Sequence, residues 1–194
     1  MSALPEPQQF YSLNDYFALE ATNDQRHEYY RGEIFAMSGG SVNHNRISVS
    51  VATALTGALA GKPCEVFVAD LRLLVKSRQL YTYPDVMVVC GKLEYAQNRT
   101  DLITNPTVIV EVLSPSTENY DRGKKFNFFY RTVETLQEYV LIDQDRVLVE
   151  HLRRSDERTW LLTVMEDLSE TLVLESIGVS IPVGKVYQRV DWQM

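Results

Sequence analysis

Two carboxylates on strand-like apolar segments are the residues of this sequence best suited to chemistry. Asp85 comes directly before the apolar segment 86–89, and Glu111 lies inside the apolar segment 108–113. Runs rich in Val and Ile are typical of buried strands, and a buried acid needs a partner that replaces its water. Two such acids on neighbouring strands repel each other unless a cation or a proton lies between them. The pattern therefore predicts a divalent metal at Asp85 and Glu111.

Two adjacent lysines, Lys124 and Lys125, follow the second acid along the chain. A lysine near metal-bound water orients the attacking nucleophile and offsets the charge that develops on a phosphate. Two acids on strands with a lysine nearby are the equipment for metal-assisted cleavage of a phosphodiester. Either lysine fits this role, and a solvent-facing position on a helix is the plain alternative for both.

Four further residues are candidates for the same site. Glu28 is a candidate third metal carboxylate that approaches from the N-terminal region, and His44 lies at the start of the longest helical segment. We expect His44, Ser114 and Arg122 to contact the substrate, while a helix-terminal hydrogen bond is the alternative role for His44. A serine nucleophile with His44 as its base is another alternative, although no motif spacing supports it.

Length and charge limit the classes of protein. The chain has 194 residues, which fits one domain over 1–194 with a loose N-terminus at 1–10. Its formal net charge of −7 argues against a protein that coats nucleic acid non-specifically. A nuclease remains compatible with this charge, since a cleft needs only local positive charge and a bound cation.

The compartment is expected to be the cytoplasm. No apolar stretch is long enough to span a membrane, and residues 1–9 do not resemble a signal peptide. Cys64 and Cys90 are too few for a disulfide scaffold or a cysteine-based zinc site. We expect both to be buried thiols in a reducing environment.

The order of the predicted elements indicates an α/β fold built on a mixed sheet. Helices are predicted at 12–19, 43–60 and 120–131, with a hairpin around Arg31-Gly32. Strands are predicted at 64–69, 71–75, 86–90, 108–113 and 138–143, followed by a C-terminal β meander at 147–152, 160–164 and 172–174. No glycine-rich nucleotide-binding motif is present, and helices and strands do not alternate regularly.

Four blocks of this sequence resemble a known family. These are Pro84-Asp85 and the segments 111–117, 121–125 and 138–143, of which 111–117 is the most specific. They resemble the large bacterial family of restriction-endonuclease-like proteins in the PD-(D/E)XK nuclease superfamily. The resemblance extends from about residue 11 to about residue 149.

The resemblance implies a fold and a cofactor. The implied fold is a restriction-endonuclease-like core, in which a central mixed sheet of about four strands is flanked by helices. It also implies Mg²⁺ or Mn²⁺ held by Asp85 and Glu111, and we expect the Val112 carbonyl to add a ligand.

The lysine of the superfamily pattern is displaced in this chain. Leu113 stands two residues after the acid, where the superfamily has lysine. In this family the lysine lies on the next helix, so Lys125 is the implied equivalent and Lys124 the second choice. The stretch 125–130 is one residue longer than the spacing usual in the family.

The leading hypothesis is a metal-dependent nuclease that acts on nucleic acid, with DNA as the expected substrate. A nuclease fold that serves as a binding or regulatory module without activity is the second hypothesis. A hydrolase of small phosphorylated molecules is the third. We also expect a homodimer, because enzymes that cut both strands often present two sites, and segment 160–190 is a candidate interface.

Overall fold

The computed structural model describes residues 10–37 and 39–193. The N-terminal segment 1–10, predicted to be loose, lies outside the described residues except for Phe10. Ser38, part of the break expected before the long helix, also lies outside them.

The described residues form a mixed α/β structure. The helices are α1 (Leu13–Thr22), α2 (Val42–Ala58), α3 (Glu118–Tyr120) and α4 (Val183–Val186), with a π-helix at Asp121–Phe129 and 3-10 turns at Tyr130–Thr132 and Glu175–Ile177. The strands are β1 (His27–Tyr30), β2 (Glu33–Ala36), β3 (Cys64–Val68), β4 (Arg72–Val75), β5 (Leu80–Thr82), β6 (Val86–Cys90), β7 (Leu102–Ile103), β8 (Val108–Leu113), β9 (Glu138–Asp143), β10 (Val149–Arg154), β11 (Trp160–Met165), β12 (Thr171–Leu174) and β13 (Val179–Pro182).

The largest sheet is mixed and has six strands in the order β11-β10-β9-β8-β6-β3. Strands β8 and β9 run parallel, and the other neighbours are antiparallel. A second sheet has the order β2-β1-β5-β4-β7, and β12 pairs with β13. The predicted meander therefore divides, since β10 and β11 extend the large sheet while β12 and β13 form a separate ribbon.

The two faces of β8 belong to different clusters of buried side chains. Its residues alternate in direction, so Val108, Val110 and Val112 pack with α2 and with the ribbon of β12 and β13. Ile109 and Leu113 pack on the opposite face with aromatic side chains of the π-helix. By the same alternation, Glu111 points into the face covered by the π-helix.

Most predicted elements are confirmed, with shifted ends. Helix α2 begins at Val42 after Ser41, whose hydroxyl accepts the N–H of His44, and Gly61 follows with a positive φ of 78°. The hairpin turns at Arg31-Gly32, where both residues have positive φ as a type I′ turn requires. Strands β5, β7 and β13 were not predicted, and the helix expected at 120–131 is mostly π-helix.

The prediction of two free thiols is wrong. Cys64 and Cys90 lie directly opposite each other on the antiparallel strands β3 and β6, and a disulfide joins them. Both residues are half-buried rather than buried. The reducing compartment was inferred from free thiols, so that inference loses its support.

None of the helices in residues 10–37 and 39–193 has both the length and the apolarity that a membrane crossing requires.

Candidate active site

The register of the sheet brings the two predicted acids together. Val86 on β6 lies opposite Val110 on β8, so the next pair along the ladder is Asp85 and Glu111. Opposite residues of an antiparallel pair point to the same face. The Asp85 N–H lies 3.3 Å from Glu111 Oε2, and the N–H of Val112 donates to Asp85 Oδ2 over 2.8 Å.

Lys125 lies inside this site. Its Nζ is 2.9 Å from Glu111 Oε1, 3.3 Å from Asp121 Oδ1 and 3.5 Å from Glu28 Oε1. Only 5% of its surface is exposed. Lys124 is exposed, and its Nζ lies 5.3 Å from the centroid of the Tyr30 ring. Of the two lysines, it is therefore Lys125 that contacts the acids.

The π-helix explains how Lys125 and Tyr130 reach the same carboxylate. The Tyr130 N–H donates to the carbonyl of Lys125, five residues earlier. Side chains five residues apart diverge by about 140° on an α-helix, which has 3.6 residues per turn. The wider π-turn brings them closer, and the Tyr130 hydroxyl donates to Glu111 Oε1 over 2.8 Å. The stretch 125–130, expected from the resemblance to be one residue longer than the family spacing, lies at this turn, and π-turns of this kind are frequent at functional sites.

The cluster carries more negative than positive charge. Burial raises the pKa of Glu111 to about 8, and the charges of Asp85 and Asp121 add to this while Lys125 opposes it. Burial alone would lower the pKa of Lys125, but Glu111, Glu28 and Asp121 outweigh it and hold that pKa well above its ordinary value. The ammonium of Lys125 therefore stays charged, and three carboxylates share it.

His44 borders the site from the first turn of α2. Its Nε2 lies 3.2 Å from Asp85 Oδ2. Burial would lower the pKa of His44, but the hydrogen bond and charge of Asp85 raise it overall. The backbone at Gly40 passes against the ring, because a β-carbon there would lie 2.7 Å from His44 Nδ1. The imidazole thus lies between the Gly40 backbone and the Asp85 carboxylate.

Glu28 lies beside the lysine rather than beside Asp85. Its carboxylate accepts hydrogen bonds from the hydroxyls of Thr82 on β5 and Tyr120 on α3, and it contacts Lys125. Glu28, on strand β1 of the second sheet, thereby helps to position Lys125 on the π-helix.

Two predicted substrate contacts lie in other surroundings. Arg122 is ion-paired with Glu118 and with Glu150, each over 2.6 Å. Ser114 shares hydrogen bonds with the hydroxyls of Ser116 and Thr117. It lines a cavity of about 260 Å³ at the carboxyl ends of β8 and β9. Within the described residues, no hydrogen bond joins Ser114 to His44, as a serine nucleophile with that base would require.

The structure adds residues that sequence reasoning missed. These are Thr82, Tyr120, Asp121 and Tyr130, which contact Glu28, Lys125 or Glu111. Asp121 had a detectable signal, since it precedes Lys125 by four residues, the spacing of a helical ion pair. Tyr130 had no such signal, because a residue five positions after Lys125 approaches the same carboxylate only on a π-helix.

The donor atoms suit a hard cation, but they are few. Across residues 10–37 and 39–193, no group of three or more His, Cys, Asp or Glu side chains is arranged to hold a metal. Asp85 and Glu111 supply two adjacent carboxylates. Mg²⁺ retains several waters and is often held by one or two carboxylates together with substrate phosphates. The two acids fit a cation of this kind, which substrate and water would complete.

The chain belongs to the Uma2 family, described as "Putative restriction endonuclease", whose model matches residues 13–184. Two relatives from Synechocystis sp. (strain ATCC 27184 / PCC 6803 / Kazusa) are "Uncharacterized protein slr1290" and "Uncharacterized protein sll1609". The first is 39% identical over 91% of this chain and 91% of its own length. The second is 40% identical over 77% of this chain and 84% of its own length.

A solved structure shares the fold. It is the crystal structure of "a putative nuclease belonging to DUF820" from Anabaena variabilis ATCC 29413, with a TM-score of 0.73 and 17% identity. The match covers 95% of this chain and 99% of that chain. The family resemblance and the predicted α/β fold, with a mixed sheet flanked by helices, are thereby confirmed.

Proposed function

We propose that this chain is a metal-dependent nuclease that hydrolyses phosphodiester bonds of DNA. The observation that carries the proposal is the pair Asp85 and Glu111, adjacent across two strands, with the buried Lys125 in contact with Glu111. The family description and the description of the structural neighbour as a nuclease support the same reading.

Asp85 and Glu111 would hold Mg²⁺ or Mn²⁺. The N–H and C=O of a strand residue point to the same side. Since the N–H of Val112 donates to Asp85, the Val112 carbonyl faces the same side and is the proposed third ligand. A bound divalent metal lowers the pKa of its water and offsets the charge on the attacked phosphate.

Lys125 would direct the nucleophile. Its ammonium, held in place by Glu28 and Asp121, can donate a hydrogen bond to a water beside Glu111 and place positive charge next to the phosphate. We therefore assign Glu28 to positioning the lysine rather than to the metal, because its carboxylate contacts Lys125, Thr82 and Tyr120.

His44 would orient Asp85 and face the phosphate at the edge of the site. Its raised pKa favours the charged imidazolium, which attracts an anion. Ser114 keeps its proposed substrate contact at the end of β8. We propose no such contact for Arg122, whose guanidinium is already paired with Glu118 and Glu150.

Nicking of supercoiled plasmid in the presence of Mg²⁺ or Mn²⁺ tests the proposal. Asp85→Asn and Glu111→Gln are each expected to lower the rate by about 100-fold or more, the size of losing a main electrostatic contribution to the transition state. Lys124→Met, one residue from the proposed catalytic lysine, is the matched control and is expected to keep the wild-type rate. Cleavage that survives both acid substitutions contradicts the proposal.

A binding or regulatory module is the second candidate function. The observation that favours it is the pairing of the Lys125 ammonium with three carboxylates in the same cluster. Absence of nicking together with absence of Mn²⁺ binding would support this module. Cleavage of nucleotide substrates without cleavage of DNA would instead support a hydrolase of small phosphorylated molecules.

A further inference from the structure

The outer strand of the six-stranded sheet is an apolar edge. Strand β11 has no charged residue and no proline over its six positions, and Leu161, Leu162 and Val164 are 47%, 55% and 46% exposed. Natural sheet edges usually carry a charge, a proline or a bulge that prevents pairing with another chain. Strand β3, at the opposite edge, carries the exposed Glu65. The β11 edge lacks this protection.

Alternate residues of β11 offer their backbone groups outward. Arg154 on β10 lies opposite Trp160. The N–H of Arg154 donates to the carbonyl of residue 137 and therefore points toward β9. In an antiparallel ladder alternate residues bond on opposite sides. Trp160, Leu162 and Val164 therefore direct their N–H and C=O groups away from β10, toward the open edge.

We propose that a second copy of this chain pairs antiparallel with β11, with Leu162 at the two-fold axis. A two-fold axis perpendicular to a sheet places a residue opposite itself, and only outward-facing residues can form the ladder. With Leu162 on the axis, Trp160 lies opposite Val164 of the second copy, and every outward N–H and C=O of the three residues is paired. The exposed Leu162 then packs against Leu162 of the other copy, and the exposed Val164 packs against Trp160 of that copy.

The charges at the two ends of β11 fit this register. If this register is continued by two residues beyond Trp160 and Val164, Arg158 lies opposite Glu166 of the second copy. Both residues are exposed. The pair occurs twice in the dimer. The same register places Glu157 opposite Asp167, which is a like-charge pair. The Asp167 carboxylate accepts a hydrogen bond from the N–H of Ser169 in its own turn. The pair of Arg158 with Glu166, which the two-fold axis repeats, is complementary within this register and favours a second copy of this chain over an unrelated peptide.

Sedimentation equilibrium of the full chain tests the dimer. The wild type is expected to form a reversible dimer of twice the chain mass. Leu162→Lys sets two ammonium groups opposite each other on the axis and is expected to remain a monomer at concentrations where the wild type is dimeric. Val173→Lys, which changes a 47% exposed residue on β12, is the matched control and is expected to stay dimeric. A monomeric wild type, or a dimer unaffected by Leu162→Lys, overturns the proposal.

Charge exchange tests the register without touching the apolar residues. Arg158→Glu and Glu166→Arg each create like-charge pairs and are expected to weaken the dimer by about tenfold or more. The double variant Arg158→Glu/Glu166→Arg restores opposite charges and is expected to return the dissociation constant to near the wild-type value. Single variants without effect, or a double variant as weak as the singles, overturn the pairing centred on Leu162.

Discussion

Two buried glutamates, Glu111 and Glu138, lie on the neighbouring parallel strands β8 and β9 and differ in the partners that compensate their charge. Glu138 on β9 is fully buried, with His151 Nε2 2.6 Å from its carboxylate and the N–H of Ser176 at 2.7 Å. These partners lower the pKa of Glu138 although burial alone would raise it. Glu111 on β8 is also buried, yet its pKa is raised to about 8 because burial and neighbouring acids outweigh Lys125.

Burial of an acid therefore does not by itself mark a functional site. Glu138 has partners that satisfy its charge, which is what stability requires of a buried carboxylate. Glu111 lies in a cluster where three carboxylates share the Lys125 ammonium. Such an unbalanced arrangement is costly in a folded chain and is typical of sites that bind a cation or perform chemistry.

Removing the lysine is expected to produce the largest loss of stability. In Lys125→Met, Glu28, Glu111 and Asp121 lose the cation they share, and breaking a buried ion pair costs about 3–5 kcal/mol. Urea unfolding at pH 8 measures the change. The matched control Lys124→Met alters an exposed position and is expected to stay within about 0.5 kcal/mol of wild type. Equal stability of the two variants would contradict the central position of Lys125.

Glu138→Gln is expected to separate stability from activity. The amide keeps the size of the side chain but loses its charge toward His151, and hydrogen bonds to charged groups contribute about 1.5–3 kcal/mol. The free energy of unfolding should fall by that amount, while nicking per folded molecule stays at the wild-type rate. Urea unfolding and the plasmid assay on the same preparation measure both. A loss of nicking in a folded Glu138→Gln protein would remove the distinction between the two glutamates.

The difference in unfolding free energy between wild type and Glu138→Gln depends on pH because the pKa of Glu138 is lowered. A carboxylate whose pKa is lower in the folded state stabilises the fold above its unfolded pKa, near 4.3, and loses that contribution as pH falls through the folded pKa. The gap in unfolding free energy between wild type and Glu138→Gln should therefore be largest near neutral pH and shrink below about pH 4. Urea titrations across that pH range check it. A gap that widens toward acid pH would contradict the assigned partners.

The sequence predicted much of the fold because its strands and long helix carry clear local signals. The β-branched runs of β6, β8 and β9 and the capped helix α2 are where these patterns indicated. The pair Asp85 and Glu111 could be anticipated since both acids adjoin such runs. Strand β5 was missed because its three residues are too short for a periodic signal.

Other parts of the site depend on contacts that no local pattern encodes. The π-helix cannot be distinguished from an α-helix by apolar spacing, so the approach of Tyr130 to Glu111 was not foreseeable. The disulfide depends on the register between β3 and β6, which only the assembled sheet defines. Arg122 resembled a substrate contact in sequence, and its ion pair with Glu118 has a local helical spacing, but its second acidic partner, Glu150, comes from the distant strand β10.

Mn²⁺ binding by the glutamate variants is the sharpest test of a metal site at Glu111. Electron paramagnetic resonance of free Mn²⁺, titrated into wild type, Glu111→Gln and Glu138→Gln, measures the affinity of each. We expect the wild type to bind Mn²⁺, Glu111→Gln to lose this binding and Glu138→Gln to retain it. Equal binding by Glu111→Gln and wild type, or loss of binding in Glu138→Gln alone, would contradict the proposed metal site.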